Sequence, residues 1–300
     1  MHVLMTGGTG LIGAALCQRL AASGAKLTVL TRDIQKAKHL VPIDGIHFIE
    51  QLSEIKPDTV FDAVVNLAGA PIAKPWTKAY KKEIKNSRIE LTKHLVSTLK
   101  SLNTKPKVLV SGSAIGLYGP HDDDEKLIES SPSVESFSHD VCQEWEQAAN
   151  KAEDVGMRVV NLRTGVVLSK KGGALAKMRF PFKLGLGGPI GNGQQWMSWV
   201  HLDDIVSIIQ FCIDNPIDGP VNATAPNPVT NKTFADTYAR VLHRPAFFTM
   251  PAWFLKLVMG QMAQELLITG QRVIPETLKK AGFQFAYPEL EGALRSVEDK

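Results

Sequence analysis

Met5-Thr6-Gly7-Gly8-Thr9-Gly10-Leu11-Ile12-Gly13 decides the fold of this chain. It follows the apolar run Val3-Leu4-Met5 and precedes Leu11, Leu16 and Leu20, whose spacing is helical up to Gly24. A strand, a tight turn and a helix are expected in that order. Gly7, Gly10 and Gly13 fall where such a turn requires glycine. The first permits the sharp reversal, the second lets the backbone approach a bound group with no Cβ in the way, and the third lets the helix pack closely on the strand. The group that such a turn receives is a pyrophosphate, which meets free N–H groups at the positive end of the helix dipole. Gly7, Thr9, Gly10, Leu11, Ile12 and Gly13 are the expected contacts, and a dinucleotide is the implied ligand.

Beyond Gly24, apolar runs alternate with helical patterns. The runs are Leu27–Leu30, Ile46–Ile49, Ala63–Leu67, Val108–Val110 and Val159–Leu162. Strands separated by helices imply right-handed crossovers and a parallel sheet. Continuous apolar runs suit strands covered on both faces. The fold class expected is α/β, a doubly wound Rossmann sheet over 1–245 with substrate-side insertions at about 170–200. A small, mostly helical lobe follows over 246–300, punctuated by Pro251, Pro275 and Pro288.

The second strand ends in Thr31-Arg32, where an NAD-selective site usually carries an acidic ribose ligand. A guanidinium there pairs with the 2′-phosphate of NADP instead. Asp33 lies one step further out and reads as the cap of the next helix. Thr31 and Arg32 therefore point to NADP(H) as cofactor.

Bulk properties exclude several classes. The chain has 300 residues, 44% hydrophobic and 21% charged, with a net charge of +4, which suits a globular protein. Lys78, Lys81, Lys82 and Lys85 have helical spacing and read as a solvated helix face, so no nucleic-acid partner is expected. Cys17, Cys142 and Cys212 form no disulfide framework and no C-x-x-C pair, so a reducing compartment and no metal are expected. The N-terminal apolar stretch is broken at once by glycines and does not read as a signal peptide. Met250–Ile268 holds Lys256, Gln261, Gln264 and Glu265, which suits a buried or interface helix better than a membrane span. A soluble, cytoplasmic protein with a small-molecule substrate and no membrane partner is expected, its oligomeric state open.

The glycine turn, Asn66-Leu67-Ala68-Gly69 and Ser111 to Gly119 together resemble the short-chain dehydrogenase/reductase superfamily, in its extended, nucleotide-sugar-epimerase-like branch. Within that branch the chain is similar to the epimerase-family proteins that end in a C-terminal domain of unknown function. Leu162–Leu168, Leu184–Gly191, Trp199–Asp204 and Gly270–Pro275 extend the resemblance over nearly the whole chain. It implies cofactor contacts at Leu67, Ala68 and Gly69, at Gln51 and Leu52 beside the adenine, at Ser111, and at Arg88, for which an exposed helix arginine is the competing reading. It also implies an epimerase- or dehydratase-like oxidoreductase.

The catalytic pattern of that superfamily is incomplete. Its enzymes use Ser or Thr with a Tyr and a Lys four residues later, the ammonium lowering the Tyr pKa. Ser113 matches the serine. By spacing, Ser138 falls at the Tyr and Cys142 at the Lys. The candidates left for acid/base work are Tyr118, swinging from its loop toward the nicotinamide, and His139, since histidine is the usual general acid or base. Lys170, Lys171, Lys177 and Arg179 suit an anionic substrate group such as a diphosphate or carboxylate. Two readings stand: an NADP-dependent oxidoreductase of unknown substrate, or a catalytically silent NADP(H)-binding sensor or scaffold.

Overall fold

The computed structural model describes residues 1–299. Its centre is a sheet of seven parallel strands: β1 (His2–Thr6), β2 (Lys26–Leu30), β3 (His47–Ile49), β4 (Ala63–Asn66), β5 (Val108–Ala114), β6 (Arg158–Thr164) and β7 (Gly219–Ala223). The order is β7-β6-β5-β4-β1-β2-β3. The chain therefore reverses its direction of growth between β1 and β4, and the crevice above those strand ends is where open α/β sheets bind ligands.

The strands are apolar on both sides because both faces are covered. Val3, Met5, Val65, Val110 and Leu162 pack with Leu16 and Leu20 of α1 (Leu11–Ala22) and with Ile205 and Ile209 of a later helix, Leu202–Asp214. The alternate residues Leu4, Val64, Leu109 and Val159 pack on the opposite face with Leu95 and Leu99. Between β2 and β3 runs α2 (Ile34–Leu40). Two helices, α3 (Lys78–Lys85) and α4 (Leu91–Ser101), are joined by a π-helical turn at Asn86–Glu90, and α5 (Phe137–Asn150) precedes β6.

The seventh strand has no counterpart among the apolar runs read from the sequence. Its opening Gly219-Pro220 reads as a turn, but β7 lies at the sheet edge, where a missing N–H breaks no ladder.

A second core lies beyond the C-terminal strand ends. There α6 (Gly173–Lys183) contributes Leu175 and Phe182, α7 (Asn231–Val241) contributes Phe234 and Tyr238, and the last helix, Leu290–Asp299, contributes Leu290, Leu294 and Val297. The tail beyond 245 is anchored elsewhere too. Leu278 and Phe283 join the main core, and Val273 packs with Tyr118 and Leu127. Its first helix, α8 (Ala252–Met259), buries no residue. Among the described residues no helix is long and apolar enough to cross a membrane.

Candidate functional site

The glycine turn is built as its residue types require. Gly7 sits at φ +70°, and a Cβ there would lie 2.6 Å from the Leu67 carbonyl carbon. At Gly13 a Cβ would fall 2.2 Å from Gly7 O and 2.8 Å from Gly8 Cα. The third glycine thus lets α1 pack on the turn itself rather than on the strand. Gly10 differs from both. Among the described residues, its chain neighbours aside, only Gly7 O comes within 4 Å of its absent Cβ, at a tight 3.3 Å, and the rest of that side is open. Gly10 also caps α1 with extended backbone and no side-chain hydrogen bond, and no acidic residue occupies the first turn. Donors of α1 therefore face a concavity that a side chain at Gly10 would fill, which fits a pyrophosphate. The Lys170–Gly173 loop comes up beside this cradle: the Cβ positions of Gly172 and Gly173 lie 3.6 and 3.5 Å from Leu11 side-chain atoms.

Thr31 N donates to Ile49 O at 2.9 Å, and the Asp33 carboxylate accepts from Lys36 N at 2.9 Å, capping α2. Arg32 between them is exposed. Gln51 caps the short turn Leu52–Glu54, and its N–H donates to Glu54 at 2.8 Å.

Across the crevice, Leu67 N donates to Thr6 O and Ala68 N to the Thr6 hydroxyl, which itself donates to Asn66 at 2.7 Å. The reading of Arg88 as an exposed helix arginine is corrected. It lies in the π-helical turn, donates to Ala70 O at 2.9 Å and Ile84 O at 3.2 Å, and stacks on Trp145. Burial pulls its pKa below the usual arginine value. Gly69 lies flat on its guanidinium, 2.8 Å from Cζ to the absent Cβ. Ser111 is corrected as a cofactor contact: it is 0% exposed, and its hydroxyl accepts from Asn66 at 3.1 Å inside the sheet.

At the ends of β5 and α5 the structure joins residues that are far apart in sequence. The Ser113 hydroxyl donates to Glu146 at 2.6 Å. Glu146 takes Nε and Nη2 of Arg163 in a two-point pair, both at 3.0 Å. Arg163 Nη1 donates to the Tyr118 hydroxyl at 3.1 Å, and that hydroxyl donates to Asn222 at 2.6 Å. Burial is the first influence on Arg163 and pulls its pKa down, but the Glu146 carboxylate outweighs it and the net direction is up. Tyr118 does not swing out. It is 0% exposed, and burial pushes its pKa up against the pull of Arg163.

Ser138 and Cys142 lie one turn apart on α5 beside Gly116, whose Cβ position is 3.1 Å from Ser138 Cβ and 3.9 Å from Cys142 Sγ. Burial first, then Glu146, pushes the Cys142 thiol up to about 11. The Ser138 hydroxyl and N–H donate to Glu265 at 2.6 and 2.9 Å. Gln261 also donates to Glu265, at 2.6 Å, and Lys81 donates to Gln261 at 2.5 Å. Lys81 and Lys85, read as part of a solvated face, are thus engaged: Lys85 pairs with Glu144 at 2.6 Å.

His139 is buried and points along another face of α5. Its Nδ1 donates to Leu117 O at 2.7 Å, and the ring lines a cleft of about 280 Å³ with Gln143, Glu146 and Arg163. Arg179, expected to meet an anionic substrate, pairs with Glu298 through Nε and Nη2 at 3.0 Å. No metal site was expected, yet the fold draws His121, Asp123 and Glu125 within 4.8 Å of one another, the two carboxylates exposed.

Glu146 and Glu265 were missed in the sequence. Glu146 has no local signature, since its partners come from two other elements. Glu265 ends a stretch, 237–264, with no Asp or Glu, which is a weak signal for a carboxylate with a special place.

A parallel sheet with this crevice and glycine turn defines a nicotinamide-dinucleotide-binding α/β protein. Residues 3–224 match the NAD dependent epimerase/dehydratase family, and residues 250–297 match a domain of unknown function, DUF1731. The chain belongs to that epimerase/dehydratase family. It is 41% identical over 303 residues to the Epimerase family protein SDR39U1 homolog, chloroplastic, of Arabidopsis thaliana, covering 99% of this chain and 86% of that protein. Identity to Epimerase family protein SAR0825 of Staphylococcus aureus is 38% over 303 residues, covering 99% of each. The crystal structure of human epimerase family protein SDR39U1 (isoform2) with NADPH superposes with TM-score 0.89 at 35% identity, covering 100% of both chains.

Proposed function

We propose that this chain binds NADP(H) in preference to NAD(H) and acts as an epimerase- or dehydratase-like oxidoreductase on an unidentified small-molecule substrate. The observation that carries the reading is the open side of Gly10 at the uncapped start of α1. The selectivity rests on Arg32, exposed beside an Asp33 whose carboxylate is spent on capping α2. A human relative crystallised with NADPH supports it.

In this reading Gly7, Thr9, Gly10, Leu11, Ile12 and Gly13 hold the pyrophosphate, and Thr31 and Arg32 the 2′-phosphate end. Gln51, Leu52, Leu67, Ala68 and Gly69 wall the adenosine, and Arg88 braces that wall. The bound nicotinamide supplies or accepts a hydride. Ser113 positions a substrate oxygen: its own proton is committed to Glu146, so toward a substrate hydroxyl it acts as an acceptor. Ser138 is committed in the same way to Glu265. Two hydroxyls backed by carboxylates thus stand where the superfamily places Ser and Tyr.

Calorimetric titration with NADPH and NADH tests the cofactor. Arg32→Ala should weaken NADPH by ~1.5–3 kcal/mol, the scale of a hydrogen bond to a charged group, and leave NADH nearly unchanged. Tighter binding of NADH by the wild type would end the reading. A second reading, a cofactor-binding sensor without turnover, is favoured by Ser138 and Cys142 at the Tyr and Lys positions. Tight NADPH binding with no turnover of any alcohol or nucleotide-sugar panel would select it.

A further inference from the structure

Two helix starts meet beside the open side of Gly10. One is α1. The other is α6, whose cap is Gly172, with extended backbone, no side-chain hydrogen bond and no acidic residue in its first turn. The Cβ positions of Gly172 and Gly173 lie 3.6 and 3.5 Å from side-chain atoms of Leu11, the first residue of α1. Each start carries free N–H groups and a partial positive charge. Two such ends side by side repel each other unless an anion stands between them.

The surrounding residues add charge of the same sign. Stretches 1–32 and 170–202 contain no Asp or Glu. Four cations lie on this side of the sequence, Lys170, Lys171, Lys177 and Arg179, and the fold sorts them. Arg179 is paired with Glu298. Lys177 Nζ donates to Ala73 O at 3.4 Å, in the segment that follows β4. Lys170 and Lys171 meet no carboxylate among the described residues. Their loop is nonetheless held in place, because the buried Ser169 hydroxyl accepts from Lys171 N at 3.1 Å.

The path of the segment selects the anion. It lies against Leu11 at one end and reaches Ala73 at the other, so it spans the crevice between the loops that follow β1 and β4. That crevice is where an open α/β sheet of this order binds its dinucleotide. The glycine turn offers a pyrophosphate neutral N–H groups alone: Arg19, the basic residue of α1, stands in its last turn and donates to Ser207. A doubly charged group in a covered crevice requires countercharge from elsewhere.

We infer, on the NADP(H) reading above, that residues 170–177 form a strap across the dinucleotide crevice and that Lys170 and Lys171 supply the countercharge of the cofactor's pyrophosphate. The two lysines thereby belong to the cofactor and not to an anionic substrate.

The test is calorimetric titration of the full chain carrying Lys170→Ala and Lys171→Ala together, with two probes. NADPH has the pyrophosphate. Adenosine 2′-monophosphate, measured by competition with NADPH, has the 2′-phosphate and no pyrophosphate. Lys170 is half-buried and Lys171 exposed, and unchanged thermal unfolding shows that the variant is folded. The alanine pair should weaken NADPH by at least about tenfold and leave adenosine 2′-monophosphate within about twofold, since only contacts to the pyrophosphate are lost. Lys170→Arg with Lys171→Arg should restore NADPH to within about threefold, because the charge returns. Added salt should narrow the gap between wild type and the alanine pair. An alanine pair that binds NADPH within about twofold of wild type, or that loses both probes equally, would overturn the strap while leaving the cofactor reading intact. A wild type that binds no NADPH would overturn both.

Discussion

The two ends of the crevice are made of different material. The cradle at Gly7–Gly13 is backbone, drawn from consecutive residues, and its shape follows from which side chains are missing. The other end, around Ser113 and Ser138, is side chain, drawn from β5, α5, β6 and the tail, and its order follows from buried charge pairs. A backbone site is set by local sterics and survives change elsewhere. A side-chain site depends on every element that supplies a partner.

Glu146→Ala should have the largest effect. Arg163 would lose its two-point partner while remaining buried, and breaking a buried pair costs about 3–5 kcal/mol. Urea unfolding measures the loss. A change under about 1 kcal/mol, the range of exposed pairs, would show that the pair is not the keystone of the side-chain end.

Gly10→Val should strike the opposite end with the opposite signature. The extended backbone at Gly10 (φ −77°, ψ 174°) suits valine, and the one close contact, Gly7 O at 3.3 Å from the new Cβ, asks the turn to give by a few tenths of an ångström, so thermal unfolding of the variant is measured beside its affinity. Its side chain fills the cradle, and NADPH affinity should fall at least about a hundredfold, or ~2.8 kcal/mol. Calorimetry on the folded variant decides, and unchanged affinity would place the dinucleotide elsewhere.

The thiol of Cys142 sharpens the contrast through pH. The unfolded chain releases that proton near 9.0, while the folded protein retains it to about 11. Above pH 9 the unfolded state therefore binds fewer protons, and stability, complete below pH 9, is lost as pH rises through 11. The difference of about two pH units corresponds to roughly 2–3 kcal/mol. Unfolding measured across that range should fall more steeply for wild type than for Cys142→Ala, and parallel curves would show that the site admits water.

Glu265→Gln should be the mildest. It keeps an acceptor for the Ser138 and Phe137 N–H groups but removes the charge at the start of α5, a loss of about 1 kcal/mol. NADPH affinity should not move. A fall in affinity would mean that the two ends are coupled through the tail.

The sequence by itself determined six of the seven strands of the sheet, the glycine turn, the capping role of Asp33 and the place of Arg32 beside it. Each depends on neighbours within a few residues: apolar periodicity, a missing Cβ, a short polar side chain before a helix. It also showed that Tyr and Lys are absent from their places. Only the tertiary structure decided what stands there. The Ser138 partner is Glu265, 127 residues away, and the pair holding Ser113 spans β5, α5 and β6. Tyr118, expected from the sequence to swing from its loop toward the nicotinamide, is locked inward by Arg163 and Asn222, the latter 104 residues on. Met250–Ile268 reads as a buried or interface helix, and within this chain α8 buries no residue, so of those two only burial is excluded. Apolar composition is local, whereas burial depends on which other parts of the chain arrive to cover it.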